Sequence, residues 1–360
     1  MAIQGTIPHD RLAALTAAIF RNSGSGDEEA ETIARHLVEA NLVGHDSHGV
    51  IRIPAYVQWV GEGKLAPNQS LSVVFENDAM AVTDGNFGYG QVIGEQAVDL
   101  GIAKCRKSGV ALVGLRNSGH VGRVGDWAIR AAEAGLVSIH FVNTSGGGIL
   151  VAPFGGTDRR LSANPIAAGI PVPGAAPMIV DLSTCVIAEG KIKVALNKGA
   201  ALPEGAIIDG HGRPSTDPAA FYADPPGAIL TIAQHKGYAL SVLCEVMAGA
   251  LTGGGCSNPG HETARRVVNG MLSIYVDPGV ATADSFGGEI SDLIEWVKGS
   301  PPALPDGRIL MPGEIEDATR ADRATNGIPL DDTTWGQIAA TARKVGLDDG
   351  AIEDLSGRRP

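Results

Sequence analysis

Residues 45–56 bring together the side-chain types that a small carboxylate substrate requires. His48 and Arg52 are four positions apart, and Tyr56 follows after four more. Arginine binds a carboxylate in bidentate fashion better than lysine does, and histidine exchanges a proton near neutral pH. Because the carboxylate and the keto oxygen of a 2-keto acid are adjacent, this spacing suits the reduction of such a compound. We predict that Arg52 binds the carboxylate and that His48 is the first candidate for the proton donor.

The neighbours of this pair have candidate roles of their own. We expect Ser47 and Tyr56 to orient the substrate oxygen or the histidine. If the segment is helical, His48, Arg52 and Tyr56 share one face, although Pro54 fits only the first turn of a helix. The alternative interpretation is that Ser47 belongs to a helix cap and that the histidine and arginine are surface residues.

A second polar cluster, residues 116–125, follows a predicted strand and is rich in glycine. Loops at the carboxyl ends of strands are where α/β proteins bind ligands. His120 in this loop is the second candidate for the proton donor, and it is equally a candidate cofactor contact. The alternative is a polar turn that caps the next helix. The sequence does not decide between His48 and His120.

Other polar segments offer hydrogen-bonding groups to a dinucleotide. Amides and short polar side chains occur at residues 143–148 and 162–165, Asp181 stands where a predicted strand meets a helix, and Lys236 opens a later helix. Asp181 could accept ribose hydroxyls or cap its helix, and Lys236 could bind a phosphate or be solvated. Each of these segments taken alone is more often structural than functional.

One glycine pattern, GxGxxxG at Gly88, Gly90 and Gly94, matches a Rossmann fingerprint only weakly. The acidic residue that should follow the second strand of such a unit is missing, and Arg116 stands there instead. We therefore favour a tight turn between a strand and a helix.

The alternation of strand-like and helical segments predicts an α/β protein with a mixed sheet covered by helices. Helices are expected at about 54–60, 91–107, 122–134, 184–197, 235–251, 284–298, 313–326 and 332–345, and two more precede residue 44. Strands are expected at 71–76, 79–84, 110–115, 136–142, 177–181 and 271–276.

Composition excludes several classes of function. The chain has 360 residues, a formal charge of −12 and only 4% aromatic residues, without a basic stripe, so nucleic acid is not an expected partner. The four cysteines lack zinc-site spacing, and no metal motif occurs. The most apolar long window, residues 238–251, is too short to span a bilayer. With no secretory leader in view, we expect a cytoplasmic protein without a membrane partner.

Six segments, taken together and in this order, resemble the malate/L-lactate dehydrogenase family that is distinct from the Rossmann-type lactate and malate dehydrogenases. The resemblance runs from about residue 10 to residue 330. The matching segments read DSHGVIR with Tyr56 after it, SGHVGRVGDWA, SANP, VDLST, HKGYAL and MPGE.

The resemblance implies a homodimer whose nicotinamide-binding domain is not a Rossmann fold, with NAD as the cofactor and NADP as the alternative. It implies a helical region from residues 1–75 and 300–360, and a cofactor-binding α/β domain from residues 76–299. The substrate is expected near Ser47, His48, Arg52 and His120. Cofactor contacts are expected at His120, Val121, Gly122, Asn143, Thr144, Ser145, Ile179, Asp181, Leu182, Ser183, His235, Lys236, Pro312, Gly313 and Glu314.

Two departures from the family pattern leave the substrate open. Many members read HFG where this chain has His120, Val121 and Gly122, and many read GTNP at residues 162–165. A reductase of cyclic imine carboxylates and a catalytically silent ligand-binding relative therefore remain alternatives to a 2-hydroxy acid dehydrogenase. The pair at residues 159–160 is a conceivable 2′-phosphate site or a solvated pair of arginines.

Overall fold

The computed structural model describes residues 5–260, 265–282 and 285–360. The predicted start of a helix at Asp284 lies outside these ranges. The strands of the described part are β1 (Thr6–Ile7), β2 (Ser72–Glu76), β3 (Met80–Asp84), β4 (Val110–Ser118), β5 (Val137–Gly146), β6 (Ile166–Ile170), β7 (Met178–Leu182), β8 (Ile207–Ile208), β9 (Pro214–Ser215), β10 (Ala228–Ile229), β11 (Val267–Val276) and β12 (Ile328–Pro329).

The helices follow most of the predicted segments. In chain order they are α1 (His9–Asn22), α2 (Asp27–Leu42), α3 (Ile53–Gly61), α4 (Gly90–Ser108), α5 (Gly125–Glu133), α6 (Glu189–Lys198), α7 (Pro218–Phe221), α8 (His235–Cys244), α9 (Pro278–Thr282), α10 (Phe286–Lys298), α11 (Glu314–Asn326), α12 (Asp332–Lys344) and α13 (Asp349–Ser356). A π-helical turn, Glu245–Ala250, continues α8.

A seven-stranded mixed sheet forms the centre, in the order β2-β3-β4-β11-β5-β6-β7. Its neighbouring strands are antiparallel except for the parallel pair of β3 and β4. A Rossmann sheet is largely parallel, so the expected non-Rossmann α/β fold with a mixed sheet is confirmed. Strand β11 enters from far along the chain and pairs with both β4 and β5.

Helices cover both faces of this sheet. Helices α4 and α5 pack on one face, where Trp127 and Tyr275 are fully buried. Helix α8 and the π-helical turn pack on the other face, against Phe141 and Ile166. Burial on both faces explains why the central strands read as nearly continuous apolar runs.

The two ends of the chain pack together. Helix α1 contacts α2 and α13, α3 contacts α12, and α11 contacts α2. Their shared core includes Leu15, Phe20, Leu37 and Ile338, all fully buried. The domain boundaries proposed at residues 75 and 300 stay a prediction.

Strands β8, β9 and β10 form a separate small sheet over a core that includes Ile192 and Phe221. None of the helices in the described ranges has the length and apolar character needed to cross a membrane.

Candidate active site

The segment that carries the first candidate pair is not one continuous helix. Two 3₁₀ turns, Asp46–His48 and Val50–Arg52, precede α3. Between them the backbone of Gly49 packs so closely on Asn41 that a Cβ would fall 2.1 Å from its Oδ1. The condition for a shared helical face of His48, Arg52 and Tyr56 is therefore not met, because this close approach interrupts the helix. The residues meet by tertiary packing instead.

Strand β4 ends next to the first candidate histidine, His48, and so places the second candidate, His120, beside it. Just beyond its end, the ring of His120 stacks on that of His48, with centroids 5.5 Å apart and planes 12° apart. The Tyr56 hydroxyl lies 2.6 Å from His120 Nδ1, and Gln91 Nε2 donates to the same hydroxyl at 3.0 Å. Both candidate histidines thus belong to one cluster, and both rings are partly exposed.

Among the described residues, Arg52 is held through its Nε alone. Its Nε donates to the backbone oxygen of Ser47 at 2.6 Å, while Ser47 Oγ lies 3.1 Å from His48 Nδ1. No described side chain forms an ion pair with the two terminal nitrogens of Arg52. This is the arrangement that a bidentate contact with a carboxylate needs.

The surroundings keep both histidines neutral. Desolvation and the positive charge of Arg52 lower the pKa of His48 to about 3 and that of His120 well below its usual value. Burial raises the pKa of Tyr56 to about 12, so its hydroxyl keeps its proton. A cluster with one free guanidinium and two neutral imidazoles is poised to bind an anion.

The glycine pattern at residues 88–94 serves packing around this cluster. A Cβ on Gly90 would fall 2.2 Å from the backbone oxygen of His120, and one on Gly94 would fall 2.5 Å from the Trp127 ring. Gly90 begins α4. The interpretation as a tight strand-to-helix turn agrees with these contacts.

Asn269 joins the His120 loop to the segment 143–145. Its Oδ1 accepts a hydrogen bond from the backbone N–H of Val121, and its Nδ2 donates to Asn143 O and to Thr144 Oγ1. Residues 143–145 lie within β5 rather than after it, because β5 extends past its predicted end. Ser145 Oγ donates to Gly254 O. These hydrogen bonds fix the His120 loop to β11 and β5.

A buried carboxylate, Glu245 in the π-helical turn, organises both polar segments. It accepts hydrogen bonds from Asn143 Nδ2, Asn164 Nδ2, and the backbone N–H and hydroxyl of Ser257. Four donors satisfy the two oxygens. The amides of Asn143 and Asn164 are thereby fixed inside the protein.

A second group of predicted contacts meets at the edge of the sheet. The N–H of Ile179 donates to Pro312 O at 3.1 Å, and the positive φ of Gly313 brings its backbone against Ile179. Glu314 forms an ion pair with Lys298. A cavity of about 410 Å³ opens beside Ile179 and Gly313.

Asp181 lies beside the first turn of α5. Its Oδ2 accepts from the N–H of Gly125 at 3.0 Å and lies 3.5 Å from Arg123 Nε and 4.0 Å from His45 Nδ1. Burial raises the pKa of Asp181. It links β7 to Arg123 and Gly125, which follow the loop that carries His120.

The remaining predicted contacts lie at other points. Leu182 ends β7, and Ser183 Oγ donates to Ala163 O. His235 and Lys236 begin α8, where the His235 ring contacts Phe154 edge-on at 5.8 Å. Gly122 has φ +72° and approaches the Gln91 amide. Of the arginine pair, Arg159 donates to two backbone oxygens, and the exposed Arg160 forms an ion pair with Asp158.

Sequence reasoning missed three residues of the site. Gln91 directly follows Gly90, Asn269 interrupts an apolar strand, and Glu245 is the charge within the most apolar window. A lone polar residue in an apolar run was the available indication in the last two cases, because burying such a group requires partners. Within the described ranges, no three His, Cys, Asp or Glu side chains are grouped to hold a metal.

The fold and the side chains of this cluster together fit an α/β enzyme with a small anionic substrate. Residues 7–339 match the family model described as malate/L-lactate dehydrogenase. Hydroxycarboxylate dehydrogenase B of Escherichia coli K12 is 42% identical over 340 residues, which cover 93% of both chains.

Solved structures agree with this match. Sulfolactate dehydrogenase from Methanocaldococcus jannaschii superposes with a TM-score of 0.87 at 32% identity, over 97% of this chain and 99% of that one. The Δ1-piperideine-2-carboxylate reductase of Pseudomonas syringae superposes with a TM-score of 0.82 at 29% identity, over 94% and 100%. The chain belongs to the malate/L-lactate dehydrogenase family, and it is an oxidoreductase of 2-hydroxy acids.

Proposed function

We propose that the chain interconverts a small 2-keto acid and its 2-hydroxy acid at the cluster of His48, Arg52, Tyr56 and His120, with NAD as the cofactor. The observation that carries this proposal is the stacked pair of neutral histidines beside a guanidinium whose terminal nitrogens no described side chain engages. Bound nicotinamide supplies or accepts the hydride. The protein supplies the carboxylate contact and the proton.

His120 is the proton donor in this proposal. Its Nδ1 faces a buried phenol, so its other nitrogen is free for the substrate oxygen. A substrate carboxylate on Arg52 offsets the positive charge that lowers the pKa of His120. Substrate binding therefore favours protonation of the imidazole where the proton is needed. His48, with Ser47 on its Nδ1, positions the substrate oxygen from the other side.

The residues at the edge of the sheet fit the adenosine end of a dinucleotide. The cavity beside Ile179 and Gly313 is about 410 Å³, and the Asp181 carboxylate lies near it as an acceptor for ribose hydroxyls. A 2′-phosphate would need an unpaired cation. The described arginines that line this cavity all form ion pairs; these are Arg35–Glu95, Arg123–Asp126, Arg130–Asp99 and Arg320–Glu39. Charge thus favours NAD over NADP.

A second copy of the chain is the partner that we propose for α8. This helix and the π-helical turn expose Val242, Leu243 and Val246, which are 37–50% exposed, and Leu251 directly after the turn is 59% exposed. An apolar helical face of this kind is typical of a homodimer interface.

The cytoplasmic location stays a prediction.

The proposal is tested by following NADH and NADPH oxidation separately with pyruvate, oxaloacetate, 2-oxoglutarate, phenylpyruvate, glyoxylate and hydroxypyruvate. We expect turnover with NADH and at least one small keto acid, and weaker binding of NADPH by fluorescence titration. Cofactor binding without turnover of any keto acid would contradict the proposed reaction. Equal affinity for both nucleotides would contradict the charge argument.

The likeness to a piperideine-2-carboxylate reductase favours one second candidate, a cyclic imine carboxylate as substrate. With that compound, Arg52 would bind the same carboxylate, and His120 would supply the proton. Turnover of a cyclic imine carboxylate, with none of the keto acids, would select it. Reduction of neither class would indicate a silent ligand-binding protein.

A further inference from the structure

The buried amide of Gln91 lies behind the proposed proton donor without touching the cleft. It is 1% exposed at the start of α4, and its Nε2 donates to the Tyr56 hydroxyl at 3.0 Å. Its Oε1 is buried and accepts no hydrogen bond from the described residues. A buried acceptor without a donor is unfavourable by about 1–3 kcal/mol. Such an atom calls for a physical explanation.

The direction of these hydrogen bonds fixes the proton on His120. Because the phenol oxygen of Tyr56 already accepts from Gln91, its own hydrogen is free to donate to His120 Nδ1, 2.6 Å away. A neutral imidazole that accepts at Nδ1 carries its proton on Nε2. That nitrogen lies on the edge of the ring away from Tyr56. The chain of bonds therefore places an N–H on the edge of His120 that faces away from Tyr56. In the reaction the acid is the doubly protonated ring, and after Nε2 gives its proton to the substrate oxygen the neutral ring keeps its proton on Nδ1.

The same amide has a second use when His120 is protonated. The imidazolium donates from both nitrogens, so the Tyr56 oxygen must then accept from Nδ1–H and its hydroxyl hydrogen needs a new acceptor. Gln91 Oε1 becomes that acceptor if the amide turns over. One side chain can thus satisfy Tyr56 in both states of His120, which a residue with only a donor or only an acceptor cannot do.

We propose that Gln91 is a positioning residue that acts through Tyr56: in the free protein it holds neutral His120 with its proton on Nε2, and it turns its amide when Nδ1 of His120 is protonated. The inference rests on the proposed role of His120 in the reaction. The proton position itself is a property of the free protein, so it can be measured whether or not a substrate is known.

The first test is ¹⁵N NMR of protein labelled at histidine, with His120→Gln used to assign the His120 signals. We expect an unprotonated Nδ1 and a protonated Nε2 for His120 in the free wild-type protein. The opposite tautomer in the wild type would overturn the inference without any further variant. Turnover plays no part in this result, so it is separate from the proposed function.

The second test compares Gln91→Met with a matched control on the same helix. Gln96→Met makes the same chemical change and removes one hydrogen bond, from the N–H of Leu71, away from Tyr56. We expect Gln91→Met to lower kcat roughly tenfold, with little change in the KM of the acid, and to give a mixture of His120 tautomers. We expect Gln96→Met to leave kcat and the His120 tautomer unchanged.

A double variant separates positioning from general stability. Once Tyr56→Phe has removed the link, adding Gln91→Met should lower kcat no further, because interacting residues are not additive. Independent, multiplicative losses in the double variant would overturn the inference, as would a wild-type tautomer in Gln91→Met. If Gln91→Met does not fold, the wild-type tautomer and its change in Tyr56→Phe decide the question.

Discussion

Arg52 can bind a carboxylate with both terminal nitrogens because its Nε is held by the backbone of Ser47. Arg52→Lys keeps the charge but loses the planar, bidentate contact. We expect the KM of the acid to rise by about tenfold or more, since charge-assisted hydrogen bonds contribute about 1.5–3 kcal/mol each. Steady-state kinetics measures this. Arg343→Lys, at an exposed ion pair with Asp349, is the control and should leave KM unchanged.

Two histidines compete for the role of proton donor, and single substitutions distinguish them. We expect His120→Ala to lower kcat by about 10²–10⁴, the usual contribution of a positioned acid or base. His48→Ala should lower kcat less than His120→Ala does, and it should raise KM more. A loss in kcat below tenfold in both variants would show that neither residue transfers the proton. The larger loss in His48→Ala would reverse the proposed roles.

At the residue scale, the sequence predicted the candidate side chains His48, Arg52 and His120 but not the contacts that join them. Spacing alone pointed to His48 and Arg52, since both lie in one short segment. The contact of Tyr56 with His120 spans 64 positions, and no local pattern encodes such a distance. Gln91 was missed for the same reason, because the partner of its amide, Tyr56, lies on another helix.

At the scale of elements, the start of α4 and the loop of His120 are in direct backbone contact at Gly90. In Gly90→Ala the new Cβ would fall 2.2 Å from His120 O, so one of the two segments must move. We expect the free energy of unfolding to fall by about 1–3 kcal/mol and kcat to fall with it. Urea denaturation and kinetics measure the two effects.

The matched control for that substitution is Gly336→Ala in α12, where a Cβ would have no neighbour within 4 Å. Alanine stabilises a helix relative to glycine by about 1 kcal/mol, so this variant should be slightly more stable and fully active. A Gly90→Ala protein with wild-type stability and kcat would show that the two segments are not coupled.

The boundaries of helices were predicted correctly where turn residues mark them. They were predicted incorrectly where contacts with distant residues determine the boundary. Pro54 correctly indicated the first turn of α3. The helix predicted from residue 184 begins only at Glu189, because Cys185 first pairs with Thr231 in an isolated bridge. The helix predicted over residues 235–251 changes to a π-helical turn at Glu245, whose buried carboxylate bonds to distant residues.

At the scale of the whole molecule, His36 joins the helical region to the α/β part. From α2 its ring bonds to Asp126 at the start of α5 at 3.0 Å and lies 3.4 Å from Glu95 in α4. Desolvation lowers the pKa of His36, but the hydrogen bonds with Asp126 and Glu95 outweigh it and raise the pKa above 6.5. The protonated ring therefore stabilises the folded state.

This stabilisation has a definite pH dependence. It is fully present below about pH 6.5, the pKa in the unfolded chain, and it is lost as the pH rises through the higher folded pKa. His36→Gln should therefore destabilise the protein most in mildly acidic buffer and least in alkaline buffer, by urea denaturation. His211→Gln, in an exposed loop, is the control. A loss that is the same at every pH would contradict the assignment.

The class of fold was predictable as a whole, but the sheet order was not. Alternating apolar runs indicated strands and covering helices, since that pattern is local. The insertion of β11 between β4 and β5 depends on pairing across more than 120 residues, which periodicity does not encode. The packing of the two chain ends around Phe20 and Ile338 was predicted from the family resemblance, and neither segment by itself indicates it.

The central claim is that this site moves a hydride between nicotinamide C4 and C2 of a 2-keto acid. The most direct test uses NADH deuterated at C4, on each face in separate reactions, with the keto acid that is turned over fastest. We predict that deuterium from one face appears at C2 of the 2-hydroxy acid product, by mass spectrometry and NMR. A hydroxy acid that carries no deuterium from either face would contradict the account.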